Sequence, residues 1–490
     1  MSVPQNVGPD AISQRGGPGG GEDVLSRATL RRAGWRLIPL LSVCYVVASM
    51  DRANVSYAAL QMNRDLHFNA SVYGFGAGVF FISYAACELP SNYLLLRFGA
   101  RRWLARIMLT WGLLAASMMF VRSPASFYTL RFLLGMAEAG FFPGVIYYLS
   151  IWFPQDMRSR AISRFYIAYP LSNVVMGLVA GSLLSLNGRL GLKGWQWLFF
   201  IEALPAIGLA AVIFFVLPDG PETALWMRPE ERAWLLRRLR KDAQQMQARA
   251  QNVRLPQRRT DAGGTSGRAD ERTLVAVLRD ARVALIGLFY FCTLGSFYAF
   301  SFSAPAIFLS VTGGSTNQAG LLIAGIALLG ALAMLLVSQY SDRTQKKILP
   351  VVLSSLLMAV GFAVSGRAHS ALVALPSLAL ATVSFYAMQG PALSLITTFL
   401  EGPSAALGIA AINTLAIFGG FVGPNWMGWS IARSGDYRWG MSLLCLPCAA
   451  GAGLILMLRA RSVSEKPDGG AGAVVDGAVV CVSPGPAPSL

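Results

Sequence analysis

About twelve windows of roughly 20 apolar residues, separated by short charged turns, recur between Trp35 and Leu458. Each window matches the ~30 Å hydrocarbon thickness of a bilayer at about 1.5 Å rise per residue. A chain patterned in this way can fold only as a set of membrane-spanning helices, because an open sheet edge or irregular backbone would leave polar groups unpaired in lipid. Of its 490 residues 54% are hydrophobic and only 13% are charged, which excludes an ordinary soluble domain of this length. The expected fold is all-α, with twelve spans in two six-helix halves.

The formal charge of +17 would suit a nucleic-acid partner if it lined an aromatic-studded soluble surface. Instead the Arg and Lys residues gather at Arg31-Arg32, Arg97 to Arg106, Arg158 to Arg164, Arg228 to Arg282, Arg343 to Lys347 and Arg459-Arg461. These clusters fall on alternate sides, the pattern of cytoplasmic segments, so both termini are expected in the cytoplasm of a cell-membrane protein and no nucleic acid is expected as a partner. The six cysteines are scattered, and Cys445 and Cys448 share CxxC spacing only inside an apolar helix. His67 and His369 stand far apart, so no metal or cofactor is expected, and no nucleophile–base constellation suggests an enzyme.

In chain order, residues 1–34 read as a disordered tail, 35–218 as the first half, 219–280 as a cytoplasmic linker, 281–460 as the second half and 461–490 as another disordered tail. The first helix is expected from Trp35 to Leu60, the second from Val72 to Leu96 and the fourth as one span from Pro124 to Phe153. Gly74, Gly76 and Gly78 follow no strand, so their expected use is close helix packing rather than nucleotide binding. Within the linker, Pro229 to Lys241 reads as an amphipathic piece on the inner membrane surface.

Charges inside spans are costly, about 2.5–3.5 kcal/mol each on insertion scales, and need a reason. Asp51 and Arg52 sit side by side in the first span, followed by Asn54. Arg131 and Glu138 lie seven residues apart in the fourth, which puts them about 20° from a common helix face and roughly 10 Å apart along the axis. The second half offers Ser301, Ser303, Tyr386, Gln389 and Asn413 instead, with helix-bending Gly390-Pro391 and Gly423-Pro424. Charge belongs to one half and neutral hydrogen bonding to the other.

The Gly99-Ala100-Arg101-Arg102 and Asp342-Arg343 turns resemble those of the major facilitator superfamily. Within it, Asp51 to Asn54, Glu88 to Asn92, Arg131 to Gly144, Gly194 to Phe199 and Gly419 to Pro424 are similar to the anion:cation symporter family, whose members carry tartrate, phthalate, sugar acids and other carboxylates with protons. The resemblance implies that Asp51 and Glu138 are proton carriers and that Arg52 and Arg131 neutralise a bound carboxylate or couple it to protonation. It also implies that Tyr84 and Asn413 contact substrate, with Asn54 beside them. The turns holding Arg97, Arg101, Asp342 and Arg343 are expected to act as gates, or in the case of the Arg97 to Arg102 turn to supply topological charge alone. Ser49, Ser303 and Leu393 depart from aromatic residues frequent in the family.

The resulting expectation is a monomeric, lipid-embedded symporter of a small organic carboxylate, with protons as the coupling ion. The rivals are a proton-antiporting drug or metabolite exporter and a membrane sensor that does not transport. Burial and a neighbouring guanidinium act on a carboxyl in opposite senses, so an anion that competes for the guanidinium would draw a proton to the carboxyl.

Overall fold

The computed structural model describes residues 20–252, 280–399 and 405–464. Much of the expected linker (253–279) and both outer tails (1–19 and 465–490) lie outside the described residues. Within them, twelve helices are long and apolar enough to cross a membrane.

The first half contains α1 (Gly20–Asp65), α2 (Ala70–Phe98), α3 (Ala100–Ser117), α4 (Pro124–Glu138), α5 (Phe141–Trp152), α6 (Gln155–Tyr166), α7 (Ala168–Leu184) and α8 (Gly194–Val216). After the connecting helix α9 (Pro229–Asn252), the second half contains α10 (Ala281–Ser301), α11 (Ala304–Thr312), α12 (Thr316–Thr344), α13 (Ile348–Ser365), α14 (Ala371–Phe399), α15 (Ala405–Ser434), α16 (Tyr437–Leu443) and α17 (Cys445–Ser464). The pairs α4–α5, α6–α7, α10–α11 and α16–α17 are each one broken span.

Local chemistry sets several boundaries. The Asn69 side chain accepts the Val72 N–H at 2.8 Å and starts α2, while Ser123 and Ser126 form a reciprocal cap ahead of Pro124 at the start of α4. Leu328, Leu332 and Leu336 of α12 are exposed at helical spacing, whereas the largest enclosed side chains include Trp111, Trp152 and Tyr148. The exposed apolar stripe is the face a lipid tail would cover.

Three boundaries differ from expectation. Helix α1 begins upstream of Trp35, at Gly20, so part of the presumed tail is helical; Thr29 and Ala33 are buried there, and Arg32 pairs with Glu231 of α9 at 2.9 Å. Helix α9 runs past Lys241 and docks on the bundle. Trp234 and Leu235 are buried, Arg238 lies 3.6 Å from Asp156, and Asp242 accepts the Gln155 N–H at 3.0 Å. The fourth span breaks after Glu138 because Gly140 takes a left-handed φ of 87°, where a side chain would also collide with Ser91.

The two halves meet along α2–α15 and α7–α12. At the end of the bundle away from Gly20 and Ser464, here the far end, backbone approaches backbone closely in this contact. A Cβ on Gly74 would strike the Pro424 carbonyl, and one on Gly177 would strike that of Gly320. Small residues thus seal the far end by close helix approach, the use expected for the glycines of α2.

Candidate functional site

Position in α1 aims Asp51 and Arg52 differently, since neighbouring residues on a helix point about 100° apart. Arg52 reaches toward α4, where Nε and Nη2 both lie 2.6 Å from Glu138 Oε1. The Arg52 side chain keeps 14% exposure, whereas that of Glu138 has none. The guanidinium also stands 5.0 Å from the Tyr84 ring and 5.8 Å from that of Phe80, in cation–π range. Glu138 Oε2 is buried without a hydrogen-bond partner, so one carboxyl oxygen is bound to the guanidinium and the other is free to take a proton.

Asp51 turns into the first half instead. Its Oδ2 accepts the Trp111 indole N–H at 2.8 Å, and its Oδ1 accepts from Asn54 Nδ2 at 3.1 Å. Among the described residues it makes no ion pair within hydrogen-bond range; Arg131 acts on it across a longer gap. Asn54 was expected to face substrate, and the structure gives it to Asp51.

Arg131 requires a correction of another kind. It is 1% exposed and donates from Nε to the Gly76 carbonyl and from Nη2 to the Ala77 carbonyl, each at 3.3 Å, with the Phe80 ring 4.8 Å away. The long side chain leans back onto α2, whose carbonyls hold the charge away from the space between the halves. In this conformation Arg131 is a buried positive charge beside Asp51, not a substrate contact. The four charges are therefore brought together as an ion pair, Arg52–Glu138, and a separate acid–base neighbourhood, Asp51–Arg131.

Two small cavities lie between the halves. One, of about 20 Å³, is bordered by Ser49, Arg52, Tyr169, Asn173, Tyr298 and Ser301; the other, of about 30 Å³, by Tyr57, Ser301 and Tyr386 among others. Each has room for little more than one water molecule, so a substrate needs the halves to part further. Asn173 donates to the Tyr386 hydroxyl at 3.1 Å and ties the halves across this space. Ser49 and Ser301 border a cavity directly and Ser303 is buried in the break between α10 and α11, whereas Leu393 is 43% exposed and borders neither cavity. The missing aromatic at Leu393 thus does not shape the cavities.

Asn413 is also displaced from its expected role. Its Nδ2 lies 2.7 and 2.8 Å from the two oxygens of Glu88, a carboxyl that is 8% exposed. Glu88 and Asn413 bridge α2 to α15, so Asn413 is held by a protein acid and not free for a ligand. Arg101 of the expected gate pairs with Asp219 of its own half at 3.5 Å. Arg97, Asp342 and Arg343 are exposed at the same end, and no ion pair joins their two turns among the described residues.

Sequence reasoning passed over Glu202 of α8. It is 7% exposed, and neither oxygen has a well-formed hydrogen bond. A lone acid between Ile201 and Ala203 was the available signal. Among the described residues no group of three or more His, Cys, Asp and Glu is placed to hold a metal.

A family model described as Major Facilitator Superfamily matches residues 41–424. A protein of Agrobacterium vitis that bears the provisional name tartrate transporter is 40% identical over 434 residues, covering 88% of this chain and 90% of that protein. The quinolone resistance transporter of Acinetobacter baumannii is 36% identical over 438 residues, 89% of this chain and 96% of that protein. Among solved structures, a bacterial homolog of the human lysosomal transporter Spinster, inward-facing and occupied, matches with a TM-score of 0.67 over 88% of this chain and 98% of that one. At 13% identity that likeness concerns the fold alone.

Proposed function

Because the chain belongs to the major facilitator superfamily, and is thus a multi-pass membrane transporter and not an enzyme, we propose that it takes up a small organic carboxylate together with protons. The observation that carries this reading is the Arg52–Glu138 pair beside the space between the halves. Among the described residues Arg52 forms its ion pair with Glu138 and borders a cavity, so an incoming carboxylate competes with Glu138 for the same guanidinium. Once displaced, Glu138 is a buried charge without a counter-ion, a state that costs several kcal/mol and that a proton relieves. Anion and proton then load together, and the neutralised centre rocks between the two sides of the bilayer.

Arg131 acts in this scheme as a fixed charge that positions Asp51, the second proton carrier. Tyr84 supports Arg52 from beneath, and Asn413 is released when Glu88 takes a proton or changes partner. Both termini lie in the cytoplasm, a monomer suffices, and lipid and a hydroxy-dicarboxylate of the tartrate kind are the partners. If one net positive charge crosses per cycle, about 2.3 kcal/mol is available per 100 mV of membrane potential. That exceeds the ~1.4 kcal/mol of tenfold accumulation.

Proton-linked export of a drug is the second reading, favoured by the resemblance to a quinolone resistance transporter. Purified protein in liposomes separates the two. Acid outside should drive accumulation of labelled tartrate that a protonophore collapses, with no proton-linked quinolone flux. Quinolone moving against protons, with tartrate inert under every gradient, would replace symport with export.

A further inference from the structure

Glu202 lies outside every contact used above. It is an acid in the middle of α8, more than nine-tenths buried, and both carboxyl oxygens lack a well-formed hydrogen bond. Among the described residues no Arg or Lys faces it. An ionised Glu202 would be an unpaired charge in the bundle interior, which costs several kcal/mol, whereas a protonated one is an ordinary hydrogen-bond donor. Structural packing alone does not call for an acid there.

Its surroundings give the acid a use. Asn54, whose Nδ2 donates to Asp51, lies against Glu202 as well, so a single amide stands between two carboxyls. The Tyr57 hydroxyl is another buried, unpartnered polar group facing Glu202. On α1, Asp51, Asn54, Tyr57, Gln61 and Asp65 recur every three or four residues and so form one stripe. Gln61 Oε1 in that stripe is buried and unpartnered too. The stripe ends at Asp65, which is 30% exposed at the far end and accepts the Trp195 indole N–H at 2.9 Å. Unpartnered Gln61 Oε1, Tyr57 hydroxyl and Glu202 oxygens between a solvent-reached acid and Asp51 are unusual in a core where buried polar atoms are normally paired.

We propose that Glu202 is a further proton-binding group of the first half, reached from the far end along the α1 stripe and coupled to Asp51 through the shared Asn54 amide. This rests on the proton-coupled reading above and adds a group and a route to it. The step is a proton transfer only: the Glu202 O–H breaks as an Asp51 O–H forms, and Glu202 regains its proton from water at the far end. Two carboxyls on one amide disfavour simultaneous ionisation, so the pair behaves as one site holding at least one proton. The titratable groups facing Glu202 are Asp51 and Tyr57 of α1. Packed beside it, α3 carries Arg101, Arg102 and Arg106 in its turns at the opposite end, and α7 contributes only Tyr169, which borders the central cavity.

The test is difference infrared spectroscopy on purified protein in lipid nanodiscs, stepped between acid and alkaline pH. The wild type should show a protonated-carboxyl band that Glu202→Gln removes and Glu202→Asp moves. Asp51→Asn should shift that band without abolishing it. A Glu202→Gln spectrum identical to wild type, or an Asp51→Asn spectrum in which the Glu202 band is unchanged, would overturn the proposal. If Glu202→Gln does not fold, the band shift in Glu202→Asp decides alone. The same proteins in liposomes keep the two readings apart: a Glu202 band without proton-driven tartrate uptake leaves the site standing and removes symport. Proton-driven uptake without the band does the reverse. With both present, Glu202→Gln should lower accumulation about tenfold or more while counterflow stays within about twofold and loses its pH dependence.

Discussion

Replacement of Glu138 by Gln keeps the shape of the side chain and removes the charge that Arg52 grips with two nitrogens at 2.6 Å. With charge centres about 4 Å apart and an effective dielectric constant near 20, the attraction is about 4 kcal/mol. The aromatic faces of Tyr84 and Phe80 and the 14% exposure of the Arg52 side chain offset part of its loss, about 1–2 kcal/mol. The remaining 2–3 kcal/mol or so is what a substrate carboxylate must overcome to displace Glu138. In Glu138→Gln that competition is absent, and tartrate affinity at mildly alkaline pH should rise roughly 30- to 150-fold. At acid pH, where a proton removes the same competition in the wild type, the two proteins should converge. Calorimetric titration of purified protein at both pH values reads this directly. Equal or weaker binding by the variant at alkaline pH would refute the idea that acid and anion contend for one guanidinium. Accumulation driven by protons should nevertheless be lost, because the group that links the two loads is gone.

Asp51→Asn should likewise abolish proton-driven accumulation while counterflow in liposomes partly survives; full accumulation would remove its role. Arg52→Ala leaves Glu138 without its partner and should both abolish carboxylate binding and destabilise the fold by about 3–5 kcal/mol, seen as a lowered melting temperature. Gly177→Val would drive side-chain atoms into the Gly320 carbonyl, and the far ends of α7 and α12 should separate, measured as an increased spin-label distance across that end.

The fold and its buried charges were readable because apolar windows are unmistakable and charges within them are rare. Asp51, Arg52, Arg131 and Glu138 stood out for that reason, and the same criterion applied to α8 would have found Glu202. Spacing placed Arg131 and Glu138 on one face of α4 but could not show that Arg131 folds back onto carbonyls of α2, a choice made by a neighbouring helix. Glu88 and Asn413 were both visible, yet their bond spans 325 residues of chain and belongs to tertiary packing alone. The helical extension upstream of Trp35 was hidden for a similar reason: polar and Gly-rich by composition, it is held by Glu231 of α9. Gly140 with Pro143 carried the signal for the broken span, and the apolar run through Phe153 masked it.

That break has a mechanical outcome. Glu138 is the last residue of α4, so it stands at the Gly140 joint where α4 meets α5 within one span. An acid at such a fulcrum would move little itself, while a change in its grip on Arg52 would bear on the angle between α4 and α5.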